Sequence, residues 1–494
     1  MKKTIIALFM ALMGTVALNA ESYTGTILVT RNGSTNTETA TVTVTPQANN
    51  LNTLVLNVPF MGLNMTLNMT DVPSATTGGI TTYSAERNVS TMFGTMYTIL
   101  FARVTDGMMA ADVSIPSYNT TMWFNTVGDH FQLPNSDMES WTNDNGEPDR
   151  WHGFKTAGGT FAGASANYAK LSKSQSVHSG STGQYSAVMT AGQVPVINTI
   201  ANGTMTNGQL MANSWSADSY DNHAEMDKNK GTDEFYMPLY TKPDKFNVWL
   251  KYTVANTNNM GSVSVKTFDG TYYQEPDDDV YTNLSGSIVG GMIPAGDWTF
   301  YSFPIDYDSY AANNAASEAI FVTFSTNANP GQGNKNDSLY VDEMELVYLG
   351  SMTDLRYKGT TIDGWNPVVT SYSLSISGTP DLNDFTASIE GASAVVTKSM
   401  EQNADGSYRI VISVVSGDLQ TATAYIINAT VVNDVLPGDV DGDQIIGMDD
   451  LTALINYLLT SNSDGINMAN ADVDGSTTVG MDDLTALINY LLSH

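Results

Sequence analysis

Two short stretches near the C-terminus place oxygen-bearing side chains at every second residue: Asp439-Val440-Asp441-Gly442-Asp443 and Asp472-Val473-Asp474-Gly475-Ser476. A further aspartate stands twelfth in each, Asp450 and Asp483. Ca2+ takes about 6–8 oxygens at ~2.3–2.6 Å, and loop positions one, three, five, seven and twelve converge on one point. Hard-cation coordination is the chemistry this spacing supports. The first loop offers Asp439, Asp441, Asp443, the carbonyl of Ile445 and Asp450, and the second offers Asp472, Asp474, Ser476, the carbonyl of Thr478 and Asp483. One Ca2+ is expected in each loop. The sixth position is Gln444 or Thr477 where a helix-loop-helix calcium hand has glycine, and the twelfth is the shorter aspartate. A missing entering helix accounts for both departures.

The elements that must hold these loops are helices. The run Gly447-Met448-Asp449-Asp450-Leu451-Thr452-Ala453-Leu454-Ile455-Asn456-Tyr457-Leu458-Leu459 recurs unchanged from Gly480 to Leu492, 33 residues later, as two copies of one supersecondary unit would. Leu451, Leu454, Ile455 and Leu458 fall at i, i+3, i+4 and i+7 and form one apolar stripe, which Leu484, Leu487, Ile488 and Leu491 repeat. From Asp434 to the end there are 11 Asp and no Lys or Arg, so the carboxylates repel one another without a cation. Folding and metal binding are therefore expected to be coupled. A merely solvated acidic tail would not need the repeat.

Two loops each followed by a single helix resemble a type I dockerin, with the likeness covering residues 434–494. The resemblance implies a cohesin domain on a scaffold or cell-surface protein as partner. It places the recognition positions directly before the helices, at Met448 with Asp449 and at Met481 with Asp482, where the family more often has small hydroxylated residues. The near-symmetry of the copies permits docking in two orientations. The other reading is that the tail packs against its own neighbouring sandwich.

Ahead of the tail the chain reads as strands. Val42 and Val44, then Leu54, Leu56, Val58 and Phe60, then Leu63, Met65, Leu67 and Met69 alternate with polar residues, which makes one face of each strand apolar. With the Tyr23-Thr24-Gly25 opening, residues 21–128 resemble a calycin-like β-barrel, either with an apolar pocket or filled by its own side chains. Residues 131–348, from Asp137-Met138-Glu139-Ser140-Trp141 to Ser338-Leu339-Tyr340-Val341-Asp342-Glu343-Met344-Glu345-Leu346, resemble the jelly-roll domain of carbohydrate metabolism, akin to carbohydrate-binding modules. Residues 355–432, with Gly359-Thr360-Thr361-Ile362-Asp363-Gly364-Trp365 and an Asp405-Gly406 turn, resemble a cadherin-like or Ig-like spacer sandwich. The fold class expected is all-β and multi-domain, a small barrel, a jelly-roll sandwich and an Ig-like sandwich, with a small α-helical calcium-binding tail.

Within the jelly roll, alternation puts Tyr340, Asp342, Met344, Leu346 and Tyr348 on one mostly apolar face. A buried charge there needs a cation or donors. By the resemblance, Glu139 and Asp342 share a structural Ca2+, with a salt bridge to a Lys or Arg as the alternative. In Lys245–Tyr252, Phe246, Val248, Leu250 and Tyr252 form the apolar face while Asn247, Trp249 and Lys251 lie opposite. Trp249 would stack on a sugar while Asn247 and Lys251 hydrogen-bond its hydroxyls, with Tyr272, Tyr273 and the acidic run Asp277-Asp278-Asp279 as a rim; the plainer reading is core.

Composition bounds the function. At 494 residues several cores are needed. Lys2, Lys3, the apolar run Ile5 to Leu12 and the end Ala17-Leu18-Asn19-Ala20 read as a secretory signal over residues 1–20, so the mature chain is expected to be exported, without membrane insertion. There is no cysteine, which removes thiol catalysis and thiolate metal sites. A formal net charge of −31 with 20 Lys+Arg disfavours nucleic acid. No nucleophile elbow, zinc-binding His pair or phosphate loop occurs, and the histidines are scattered. A non-catalytic glycan-associated protein is the expectation, with a glycoside hydrolase bearing an unrecognised carboxylate pair as the alternative.

Overall fold

The structure, a computed structural model, describes residues 20–494 apart from 33, 61, 78–79, 106, 127–130, 196–197, 231–232, 419–420 and 433–435. The expected signal segment lies outside these residues, Ala20 excepted. The alternating Thr/Val/Leu stretches near the start form eight strands, Glu21–Arg31, Ser34–Pro46, Leu51–Phe60, Leu63–Thr77, Ile80–Thr91, Gly94–Thr105, Met108–Ile115 and Thr120–Asn125, paired antiparallel in chain order. The first strand pairs with the last and closes a barrel. Gly25 is needed at that seam, because a Cβ there would lie 2.3 Å from the Asn125 carbonyl oxygen. Val42, Val44, Leu54, Leu56, Val58, Phe60, Met65, Leu67 and Met69 are all buried inside, whereas Leu63, expected with them, is 52% exposed at the strand's start. The void lined by Val42, Leu54, Leu56, Leu67, Met69, Leu100, Ala111 and Val113 is about 10 Å3. That is no more than a single water requires, so the barrel is filled by its own side chains.

The next region is a two-layered sandwich built from one long sheet path. In order it runs Thr204–Thr206, Ala319–Ser325, Gly261–Phe268, Leu284–Ile288, Gly296–Asp306, Lys245–Thr253, Ser338–Val347, Ser186–Thr190 and Lys170–Ser174, with Met292–Ile293 beside Gly261–Phe268. The 11-residue strand Gly296–Asp306 pairs with strands of both layers. Phe246 of one layer meets Phe324 of the other at 6.3 Å between ring centroids, inside a single apolar core. Phe246, Val248, Leu250 and Tyr252 fill that core as their alternation requires. A separate three-stranded sheet, Gln209–Ala212, Asn222–Met226 and Tyr273–Glu275, completes the domain.

Two further sheets follow: Thr360–Thr361, Ser351–Tyr357 and Phe385–Glu390, then Ser371–Ser377, Ala422–Val432, Tyr408–Val415 and Val395–Gln402 in that spatial order. Ser371–Ser377 and Ala422–Val432 run parallel. The described residues divide into two compact units, one drawn from residues up to 370, 385–399 and 411–425 and the other from 371–384, 400–410 and 426 onward. Within the first, the buried Arg103 of the barrel donates to the Thr241 hydroxyl at 3.2 Å and to the Gly417 carbonyl at 2.9 Å.

Within the second unit the tail folds as helices Met448–Thr460 and Met481–Ser493, with a single turn, Met468–Ala471, entering the second loop. That short turn corrects the expectation of no entering helix for the second loop; Asn467 caps it through the N–H groups of Ala469 and Asn470. The shared core is Val440, Leu454, Ala471 and Leu487, all 0% exposed, flanked by Leu451, Leu458, Leu484 and Leu491. Ile455 and Ile488, expected in the stripe, are each 36% exposed. Two helices and a turn cover a narrower arc than a larger core would, so one position per repeat faces out. Among the described residues no helix is long and apolar enough to cross a membrane.

Candidate calcium loops and a candidate sugar cavity

In the first loop the side chains of Asp439, Asp441 and Asp443 bring carboxylate oxygens within 4.8 Å of one another, and in the second Asp472, Asp474 and Asp483 do the same. Asp439 is buried, and its Oδ1 has no hydrogen-bond partner, while Oδ2 accepts from Gln444 N–H and the Asn470 amide. An unpartnered buried carboxylate oxygen among two other carboxylates is the environment a hard cation relieves. The residues present fit Ca2+.

The twelfth residues are placed by the helices. Asp450 accepts from Asp441 N–H at 3.0 Å and Gly447 N–H at 2.7 Å, and Asp483 from Asp474 N–H at 3.1 Å and Gly480 N–H at 2.7 Å. Each aspartate thereby caps its helix and ties it to the third loop position. Gln444 and Thr477 adopt φ of +69° and +73°, so the sixth position keeps the left-handed turn that glycine usually provides. Ser476 Oγ lies 3.1 Å from the Thr478 carbonyl, which brings the fifth and seventh positions together; Ile445 has an exposed side chain. Met448 and Met481 are each 66% exposed, with Asp449 and Asp482 exposed beside them. Ile455 with Leu459, and Ile488 with Leu492, continue the same apolar face at i+7 and i+11.

Residues 437–492 match the family described as the dockerin type I domain. The tail resembles a dockerin in sequence and in its loops. No curated protein matches the chain. Among solved structures, a Bacteroides thetaiotaomicron protein proposed to be a glycoside hydrolase has 10% identity and a TM-score of 0.32, covering 53% of this chain and 86% of its own. The CBM22-1–GH10 modules of a Clostridium thermocellum endo-1,4-β-D-xylanase, complexed with xylohexaose, have 13% identity and a TM-score of 0.20, covering 48% of this chain and 32% of that one. A CBM22-1–CBM22-2 tandem domain from Paenibacillus barcinonensis has 10% identity and a TM-score of 0.19, covering 66% and 96%. None of the three superposes closely enough to bear on what this chain does.

The jelly roll itself holds a cavity of about 490 Å3. One wall is the outward face of the strands whose other face is core: Ser262, Ser264 and Lys266 alternate with Val263 and Val265, and Thr323 and Ser325 flank Phe324. Against them stand Met211, Glu275 and Trp215. Trp215 is 52% exposed and its ring lies 4.1 Å from that of Phe161. Glu275 Oε2 is shielded from solvent and unpartnered, and burial raises its pKa above the usual range against the opposing pull of Ser264 and Lys266. Of this lining the sequence pointed only to Asp277, as part of a rim for Trp249. The cavity's signal is the Ser-Val-Ser-Val-Lys alternation, whose polar face has no charge partner in sequence.

The expected sugar platform does not assemble. Trp249 is half-buried, with one ring face stacked on His178 at 4.1 Å and 5° between planes, and Phe300 5.5 Å away. One of its two ring faces is taken up in this way. Asn247 donates to Glu345 at 2.9 Å. Tyr273 is fully buried and donates to Asp277, and Tyr272 donates to Gln274, both in the separate three-stranded region. Alternation along a single strand tells which face a ring occupies, and says nothing of a histidine arriving from residue 178.

Asp342 is also elsewhere than alternation placed it. A register shift opposite Asn247 and Trp249, with Glu343 at φ +43°, lets Leu339 and Val341 enter the core before it and Met344 and Leu346 after it. Asp342 pairs across the strand with Trp249, is 0% exposed, and has both carboxylate oxygens unpartnered. Burial, with Glu343 adding, pushes its pKa up to about 7. Glu343 accepts from His178 at 2.7 Å, and Glu139 Oε1 accepts from the N–H groups of Gln184 and Tyr185. Glu139 is near enough to raise the Asp342 carboxyl electrostatically, but the two do not form a three-ligand group like those of the tail.

Proposed function

We propose that the protein is an exported, glycan-associated module carrier: the jelly roll binds a glycan in its cavity, the barrel and the third region hold it out, and the dockerin-type tail attaches it to a cohesin-like partner. The unpartnered, buried Asp439 Oδ1 within its carboxylate cluster carries the calcium part of this reading. Asp439, Asp441, Asp443, the Ile445 carbonyl and Asp450 would hold one ion, and Asp472, Asp474, Ser476, the Thr478 carbonyl and Asp483 another. Bound Ca2+ neutralises the loop carboxylates and fixes the start of each helix. Met448, Ile455 and Leu459, and their counterparts Met481, Ile488 and Leu492, then present an apolar face to the partner, with Asp449 and Asp482 at its edge. Pull-down of cohesin-bearing protein by the full chain in Ca2+, lost in chelator and in Met448→Ser/Met481→Ser, tests the attachment. Capture unaffected by both treatments would oppose it.

A third ion, between Asp342 and Glu139, is supported by the two unpartnered Asp342 oxygens. It predicts that chelator lowers the melting temperature of the Asp342-containing unit and that Asp342→Asn removes this effect; equal melting with and without chelator rules it out. The competing hydrolase reading is favoured by two carboxyl groups, Glu275 and Asp277, lining one cavity. Reducing-sugar release from a polysaccharide panel, abolished by Glu275→Gln, would establish it.

A further inference from the structure

We infer that Asn470, a side chain of the second repeat, belongs to the first calcium site: it positions Asp439 from across the repeat and makes the first loop the tighter-binding of the two. This rests on the calcium reading of the tail and distinguishes its two loops. Asn470 is 1% exposed and Asp439 3% exposed. The Asn470 amide nitrogen donates to the Asp439 carbonyl at 2.8 Å and to Asp439 Oδ2 at 3.3 Å, while the amide oxygen accepts from Leu436 N–H at 2.8 Å. These partners fix the orientation of the amide, because reversing it would set oxygen against oxygen at Asp439. With Gln444 N–H also on Oδ2, the carboxylate is held by one oxygen, and Oδ1 is left without a partner beside Asp441 and Asp443. A carboxylate oriented in this way loses little side-chain freedom on taking a cation. The backbone joins the same two places, through Gly438 N–H to the Asn470 carbonyl and Asn467 N–H to the Val440 carbonyl, each at 2.8 Å. Those bonds do not depend on the Asn470 side chain.

The second loop has no counterpart to this contact. Moved back by the 33-residue repeat, Asn470 falls on Pro437, which carries no side-chain donor. Asp472 stands where Asp439 does in the first copy, is only half-buried, and has both oxygens taken by its own loop: Oδ1 accepts from Ser476 N–H and Oδ2 from Thr477 N–H, each at 2.8 Å. The ligand sets differ in charge as well. The first loop offers the aspartates Asp439, Asp441, Asp443 and Asp450, and the second offers Asp472, Asp474 and Asp483 with the neutral Ser476. Calcium affinity in such loops follows the charge count of the ligands and the rigidity of the site, and both favour the first loop. Two helices identical in sequence are thus preceded by unequal sites.

The test is Ca2+ competition against a chromophoric chelator on the full chain, in an Asp342→Asn background that removes the proposed third ion, with helical ellipticity followed on the same samples. The competition reads binding whether or not the helices form. The natural tail is expected to give two constants, and Asp450→Ala to remove the tighter one. Asn470→Ala should weaken that tighter constant by about tenfold to a hundredfold, the usual effect of removing a group that orients a metal ligand, and leave the weaker constant and the helicity at saturating Ca2+ unchanged. The constant that remains in Asp450→Ala should also be unaffected by Asn470→Ala, whereas a general loss of tail stability would weaken it. If Asn470→Ala alters neither constant, or weakens both equally, the inference is overturned and the calcium anchor stands. Loss of the weaker constant in Asp450→Ala overturns it in the same way. Binding and helicity in Asp450→Ala/Asp483→Ala equal to those of the natural tail remove the calcium reading itself, and the inference with it.

Discussion

Asp112 lies on the outer face of the barrel, between the inward Ala111 and Val113 and across from Phe101 and Trp123. Burial pushes its pKa up to about 6. The folded chain therefore keeps a proton that the unfolded chain has lost between the ordinary aspartate range and about 6, and stability falls as pH rises through that window. Asp112→Asn should remove this slope and stabilise the protein at neutral pH by on the order of 1 kcal/mol. Melting curves across that range check it; an unchanged slope would mean the carboxyl is solvated. Trp249→Ala should lower the melting temperature, by about 1–3 kcal/mol of lost stacking and burial against His178 and Phe300, and leave sugar affinity unchanged. At this scale the loop aspartates were legible because their spacing alone specifies convergence. Asp342 was legible as a buried, unpaired carboxyl, though not the bulge that places it; Glu275 and Trp215 were not legible, since their surroundings come from distant strands and a neighbouring sheet.

Strand faces followed from alternation wherever the strand stays regular. Lys245–Thr253 and the barrel strands, Leu63 apart, bury the residues their two-residue period selects, whereas the shift near Asp342 breaks the period without any proline or glycine to announce it. The barrel's closure hangs on one position. Gly25→Ala would drive a methyl into the backbone of Asn125 and Thr126 and should destabilise the barrel by several kcal/mol, of the order seen for strained core insertions, roughly 1–3 or more. Thermal unfolding of the variant checks this, and an unaltered transition would show that the seam can open at no cost. The tail helices were legible from their repeat and their 3.6-residue period. The outward turn of Ile455 and Ile488 depends on how small the shared core is, which periodicity does not reveal.

Across the larger unit, Arg103 links barrel, jelly roll and the third region through Thr241 and Gly417. Burial lowers its pKa; Nη1 donates to these two acceptors, while Nε is buried without one. Arg103→Met should leave the Gly417 carbonyl and Thr241 hydroxyl without this donor and cost about 1–3 kcal/mol, seen as an earlier or split calorimetric transition. An identical thermogram would show the link to be incidental. The tail is a different kind of element. Its core is four fully buried residues, and the sequence from residue 434 on carries 11 aspartates and no Lys or Arg. So small a core is marginal alone, and a cation that binds only the folded loops stabilises it by mass action. The strands contribute little helical signal, so the far-ultraviolet helical ellipticity of the full chain reports mainly on Met448–Thr460 and Met481–Ser493. That signal, followed during Ca2+ titration from chelator, should rise to saturation in the natural chain and stay flat in Asp450→Ala/Asp483→Ala; equal helicity in chelator, in Ca2+ and in the double variant would contradict the calcium-dependent anchor.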